Sequence, residues 1–259
     1  MTRVAFALRE VGYRIGEAVI LDDVTLEISY GRVLALVGPN GAGKSSLLGI
    51  LTGDTRATTG QVELHGRSLH EWRAGELART RAVLAQSNQV AFSFTAYQVV
   101  EMGRSPWIGT EHAEDDETVI TRSLEQADVA QLASRAFPSL SGGEGARVSL
   151  ARVLAQDTAV MMLDEPTAAL DLRHQEEVLR VARTLATQGR AVIVVLHDLS
   201  LAGAYADDVA MIHQGRLIAV GAPAAILTEE RIRAVYQTDV RVIADPDTGA
   251  PVVLPVRHR

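Results

Sequence analysis

The sequence predicts an α/β protein with three parts: a parallel-sheet core, an antiparallel strand layer from the N-terminal region, and an inserted helical sub-domain. Three observations carry that prediction. Short continuous apolar runs at 33–37, 159–163 and 191–196 read as strands buried on both faces, the pattern of a parallel sheet. Residues 2–30 alternate apolar and polar positions, as in Thr25-Leu26-Glu27-Ile28, which marks half-exposed antiparallel strands. From about 87 to 138 the texture changes to helical spacing, with an acidic cluster, Glu114-Asp115-Asp116-Glu117, and little strand character.

Composition bounds the function. The 259 residues suffice for a sizeable core, and 47 % hydrophobic with 22 % charged is ordinary for a soluble globular chain. A formal net charge of −7 argues against a partner made of nucleic acid. Cysteine is absent, which excludes disulfides and thiolate metal sites. No apolar run approaches the roughly 20 residues of a membrane helix. Arg3, Arg9 and Glu10 interrupt the N-terminal apolar stretch, which is not a signal-peptide pattern. These features predict a cytoplasmic protein that would reach a membrane only through a partner.

In chain order, residues 2–30 predict short strands broken by Gly12 and Gly16. The run 33–37 then leads into Gly38-Pro39-Asn40-Gly41-Ala42-Gly43-Lys44-Ser45, and a helical stretch begins at Ser46. This fits G-x-x-x-x-G-K-[ST] in the strand, turn, helix context that gives the pattern a mechanism. The glycines let successive backbone N–H groups face an anion, and the helix start adds partial positive charge. Lys44 would reach the outer phosphates and the Ser45 hydroxyl would ligate Mg²⁺. An ordinary glycine-rich turn is the bland reading. The flanks favour a nucleoside triphosphate.

Residues 61–64 and 82–85 read as strands, the second ending at Gln86. After the helical insertion, Ser141 and Glu144 form a capping box opening a helix at 146–156. Gly142 and Gly143 inside that cap leave backbone exposed at a positive helix end, a second phosphate site on the same chain. One nucleotide does not need two such sites; a dimer in which each chain completes the other's pocket uses both. The strand Val160-Met161-Met162-Leu163 delivers Asp164 and Glu165 to its end. Asp164 suits the hydrated shell of Mg²⁺, and Glu165 suits polarising an attacking water. A helix-start pair of acids is the alternative. A helix at 173–187 and the strand 191–196 follow, then His197, a helix at 223–236 and a strand-like tail.

In order and spacing, Gly38 to Ser45, Gln86, Leu140 to Glu144, Asp164-Glu165, Ala169-Leu170-Asp171 and His197 resemble the ATP-binding cassette (ABC) ATPases. The resemblance spans nearly the whole chain. It implies one nucleotide-binding domain over 1–259. Residues 1–86 and 158–259 would form the α/β P-loop core with its antiparallel layer, and 87–157 the helical sub-domain carrying the signature. It also implies a homodimer sandwiching two ATP molecules with Mg²⁺. Tyr13 would stack on adenine, although packing alone explains a tyrosine there equally simply. Gly38 to Ser46 would hold the phosphates. Gln86 would ligate Mg²⁺ and sense the γ-phosphate with Ser45 and Asp164. Ser141, Gly142 and Gly143 would bind the partner's γ-phosphate. Glu165 would be the general base, His197 a γ-phosphate contact, and Asp171 a link across the dimer. Gly145-Ala146 departs from the family's usual polar pair.

The tract 86–107, with residues 140–156 and 221–240, resembles the iron-chelate and vitamin B12 importers, and within them the haem (hemin) import ATP-binding subunits. That implies two permease subunits, an external haem-binding protein, no nucleic acid, and a place on the cytoplasmic face of the membrane. Ferric siderophore or vitamin B12 import is the alternative. A soluble ABC ATPase acting on nucleic acid or the ribosome is more remote, since such chains usually carry two cassettes or long inserts.

Overall fold

A computed structural model describes residues 3–85 and 93–257, in two compact units, Met1–Trp72 with Leu185–Arg259 and Arg73–Thr184. In the first unit, β1 (Val4–Ile15) and β2 (Ala18–Ser29) form one long antiparallel hairpin. The alternation in the sequence has its expected outcome: Phe6, Leu8, Val11, Val24, Leu26 and Ile28 are buried. The expected break at Gly12 does not occur. Gly12 stays inside β1, and a Cβ there would meet Thr59 Oγ1 at 2.4 Å, so the missing side chain admits the neighbouring strand. Gly16, at φ 57°, makes the hairpin turn. Next come β3 (Val33–Val37), buried at all five positions, α1 (Lys44–Thr52), β4 (Thr59–Leu64) and the short β5 (Arg67–Ser68). The antiparallel layer has the order β2-β1-β4-β5.

The second unit holds α2 (Ala74–Thr80), β6 (Arg81–Leu84), α3 (Ala96–Glu101), α4 (Asp116–Gln126), α5 (Gly142–Ala155), β7 (Val160–Asp164) and most of α6 (Leu172–Thr187). β6 and β7 pair in parallel, from Arg81↔Val160 to Leu84↔Leu163. α5 packs on α3 and α4, with Gly103 so close that a Cβ would sit 2.1 Å from Arg152 O. Arg104 is buried there yet satisfied, donating to Asp116 Oδ1 at 2.6 Å and to the carbonyls of Ala155 and His112 at 2.9 Å. Trp107 donates its Nε1–H to Gln156 O at 2.7 Å, which fits a packing role. α5 begins at Gly142, four residues before the expected 146, because the cap at Ser141 starts the helix whatever the following glycines prefer.

The chain returns to the first unit with β8 (Ala191–Val195), α7 (Leu199–Tyr205), β9 (Asp208–His213) and β10 (Arg216–Gly221). β3 pairs in parallel with both β8 and β9, and β10 closes that edge antiparallel to β9. The single helix expected at 223–236 is two, α8 (Pro223–Ile226) and α9 (Glu229–Tyr236). Thr228 restarts the helix by accepting the Arg231 N–H on its hydroxyl at 3.3 Å, a cap hidden within an otherwise helical pattern. β11 (Val240–Ala244) and β12 (Pro251–Pro255) make the terminal hairpin. Among the described residues no helix is long and apolar enough to cross a membrane.

Candidate functional site

β3 ends at Val37 and the glycine loop begins at Gly38, with left-handed or otherwise positive φ at Gly38 (152°), Gly41 (76°) and Gly43 (105°). Side chains are excluded as well as strained. A Cβ on Gly43 would approach Leu21 Cδ2 to 2.7 Å, and one on Gly38 would approach Ile212 O to 2.1 Å. The β9–β10 turn braces the loop, since Gly215 N–H donates to Ala42 O at 2.9 Å while Gly215 O accepts from Asp22 N–H. α1 then starts with Gly43 as its cap, and neither a side-chain cap nor an acidic residue occupies its first turn. Its leading N–H groups are therefore available to an anion. Lys44 is 6 % exposed and turns its Nζ back onto Gly38 O at 2.7 Å and Pro39 O at 3.0 Å. Asn40, Gly41 and Ser45 are exposed, Pro39 and Ser46 half-buried, and Ala42 buried.

His197 follows β8, and the parallel register Leu36↔Val195 continues through the bond from Leu196 N–H to Leu36 O. That brings His197 level with Gly38 at the same end of the sheet. It is exposed, which removes the reading of a core histidine. Asp198 beside it caps α7, accepting from Ser200 and Leu201 N–H at 2.7 and 3.1 Å. Tyr13 is half-buried on β1 opposite Leu21, the residue packed under Gly43. The first unit thus gathers Tyr13, the loop and His197. Gln86 lies outside the described residues.

In the second unit, β7 is buried up to Asp164, which is half-buried at its end. Glu165 then adopts φ 49°, a left-handed conformation that costs a non-glycine residue about 1–3 kcal/mol. The reversal turns the chain into 167–171, where Gln175 Nε2 donates to Thr167 O at 3.2 Å and Leu170 O at 3.0 Å. Gly143 stands against this segment, and a Cβ on it would lie 3.5 Å from Ala169 O, so the signature and the Asp171 loop are neighbours.

The capping box at Ser141 is formed. Glu144 N–H donates to Ser141 Oγ at 3.3 Å, and Ser141 N–H donates to Glu144 Oε2 at 2.8 Å. The bond from Ser141 N–H first, then one from the Ser141 side chain, with help from Arg135 at 3.1 Å, hold the Glu144 carboxyl below its ordinary pKa. Ser141 accepts the Glu144 N–H in this box and its side chain also bonds the Glu144 carboxyl, so meeting a phosphate would exchange that second bond for one to the phosphate. Ser141 and Gly142 are exposed and Gly143 half-buried.

Sequence reasoning missed the role of His174. Asp171 Oδ1 accepts from His174 N–H at 3.0 Å and lies 2.6 Å from His174 Nδ1, so Asp171 caps α6 and its carboxyl is held below its ordinary pKa by that backbone bond first. The signal was a hydrogen-bonding residue three places after a helix-capping aspartate. Ligand atoms of Asp128, His174 and Glu177 also lie within 4.8 Å of one another. Arg173 already serves both carboxylates there, at 3.6 Å from Asp128 and 2.8 Å from Glu177, so a guanidinium stands where a metal would.

The profile of the ABC transporter family matches residues 21–168, more than half of the chain. A hemin import ATP-binding protein of Thermobifida fusca is 53 % identical over 98 % of this chain and 89 % of its own length. Among solved structures, an inward-facing metal-chelate type ABC transporter is similar over 98 % of each chain, with 25 % identity and a TM-score of 0.83. A dimeric bacterial ABC transporter cassette covers 84 % of this chain and 98 % of its own, at 27 % identity and a TM-score of 0.75.

Proposed function

The chain belongs to the ABC transporter family of ATPases, and from that premise we propose that it hydrolyses ATP to drive haem (hemin) uptake through a separate membrane permease. The near full-length likeness to a hemin import ATP-binding protein carries the substrate assignment. In this reading two copies of the chain sandwich two ATP molecules, as the dimeric cassette supports, and sit on the cytoplasmic face against two permease subunits. An external haem-binding protein delivers the substrate.

Phosphoryl transfer needs charge stabilisation and alignment more than covalent help. Lys44 and the loop amides neutralise the phosphates, and Tyr13 stacks on adenine. Ser45, Asp164 and Gln86 are oxygen donors of the kind Mg²⁺ takes; the ion, when bound, offsets charge on the β- and γ-phosphates. Ser141, Gly142, Gly143 and the start of α5 meet the γ-phosphate of the partner's ATP. Glu165, in the left-handed turn that follows β7, accepts a proton from the attacking water. His197 contacts the γ-phosphate, and Asp171 links the two sites. Residues 1–86 with 158–259 act as the core and 87–157 as the sub-domain that faces the permease.

A deletion strain grown with haem, a ferric siderophore or ferric salt as sole iron source tests this. Loss of growth on haem alone, restored by the wild-type gene and not by Glu165→Gln, is the expected result. Failure only on the siderophore would move the substrate to a ferric chelate, the reading favoured by the likeness to the metal-chelate transporter. Unimpaired growth on all three sources would overturn the import assignment.

A further inference from the structure

The terminal hairpin of β11 and β12 is seated on α7, the helix that follows His197. Gly203 shows how close that seat is: it is buried, and a Cβ there would meet Pro251 O at 2.4 Å. One helical turn before it, Ser200 accepts the Val253 N–H on its Oγ at 3.0 Å and donates its hydroxyl to Val253 O at 3.4 Å. The same residue is tied in the other direction. Its backbone N–H donates at 2.7 Å to Asp198 Oδ1, the cap of α7 and the immediate neighbour of His197. Ser200 is thus the residue through which β12 reaches His197.

His197 stands between two fixtures. Before it, the Leu196 N–H is held by Leu36 O, in the strand that runs into the phosphate loop. After it comes the start of α7. The His197 side chain is exposed, so burial does little to place it, and the backbone on either side sets where it lies. A displacement of about 1 Å from the productive geometry can cost about 10²-fold in rate. The sheet secures the first side. The second is only as firm as the first turn of α7, and a helix of 7 residues has little stability of its own. We propose that Ser200 is a positioning residue for His197, which fastens the first turn of α7 to β12 and so fixes His197 for the γ-phosphate. The terminal hairpin, remote in sequence from every nucleotide-binding motif, thereby acts on the rate of hydrolysis and not on the affinity for ATP. This assignment rests on the reading of His197 as a γ-phosphate contact and is independent of what the permease carries.

Ser200→Ala removes both bonds to Val253 and leaves the Asp198 cap in place. ATP turnover by the full-length variant should show kcat lowered about three- to thirty-fold at saturating ATP and Mg²⁺. ATP affinity should stay within about two-fold of wild type, the split expected for an interaction realised in the transition state. The deciding comparison is a double-mutant cycle with His197→Ala, in which Ser200→Ala should lower kcat no further. Gly203→Ala, which lifts the hairpin from α7 without touching the Ser200 hydroxyl, should lower kcat in the same way, again only where His197 is present. A Ser200→Ala variant that melts earlier but keeps the wild-type kcat would overturn the proposal, since the contact would then serve stability alone. An equal loss of kcat with and without His197 would also overturn it. If His197→Ala itself leaves kcat unchanged, the γ-phosphate reading of His197 fails and the proposal falls with it; a loss in His197→Ala with none in Ser200→Ala refutes the proposal and keeps that reading.

Discussion

Two glycine-bearing segments lead into two helices, and they solve the helix start in opposite ways. At α1 the glycines take positive φ, no side chain caps the first turn, and Lys44 folds back onto the loop carbonyls. At α5 the start is closed by a reciprocal Ser141–Glu144 box, and Gly142 and Gly143 take ordinary helical conformations. The first loop needs glycine for its backbone shape. The second needs it for smallness, so that another surface can come close. One start is built to be completed by a ligand; the other is complete within the chain and offers its exposed end to a neighbour.

Four measurements sharpen or break that contrast. Glu165→Gln alters neither helix start, so ATP binding should persist while steady-state hydrolysis falls about 10²–10⁴-fold. Comparable loss of binding would mean that Glu165 shapes the pocket. Gly43→Ala should cost about 2–5 kcal/mol in urea denaturation, from φ strain plus the 2.7 Å approach to Leu21. Gly142→Ala, with nothing within 4 Å of its Cβ, should stay within about 1 kcal/mol of wild type or gain stability. Equal costs would erase the distinction between shape and smallness. Ser141→Ala removes a cap and should destabilise by about 0.5–2 kcal/mol.

The smallest effect is on acid stability. Glu144 has a depressed pKa in the folded chain, so its contribution is present above its ordinary value of 4.5 and is lost as pH falls through the lower, folded value. Ser141→Ala removes the side-chain share of that depression and keeps the larger share, which comes from the Ser141 backbone N–H. The variant should therefore lose stability less steeply than wild type below pH 4.5, as read by denaturation midpoints at successive pH.

The phosphate loop was legible because its signal is local: strand, turn and helix follow one another within about twenty residues, and each element keeps the conformation its residues prefer. β3 and β8 were legible because a strand buried on both faces is apolar throughout. Gly12 misled because a glycine admitting a neighbouring strand looks, in one dimension, like a glycine ending one. The division of 223–236 was missed because Thr228 sits within a pattern of helical spacing. α5 starts at Gly142 and not at 146 because the cap at Ser141 outweighs the low helix preference of the glycines that follow it.

The middle strand of the first unit sets a condition on biosynthesis. Among the described residues, the ladder partners of β3 come late in the chain: Val33 meets Val192, and Leu34 meets Asp208. The turn that braces the loop, at Gly215, emerges later still. The strands that flank β3 are therefore supplied only when most of the polypeptide has been made, and until then its five apolar residues lack those two edges. The sheet that carries the phosphate loop is thus completed late in synthesis, once β9 has emerged.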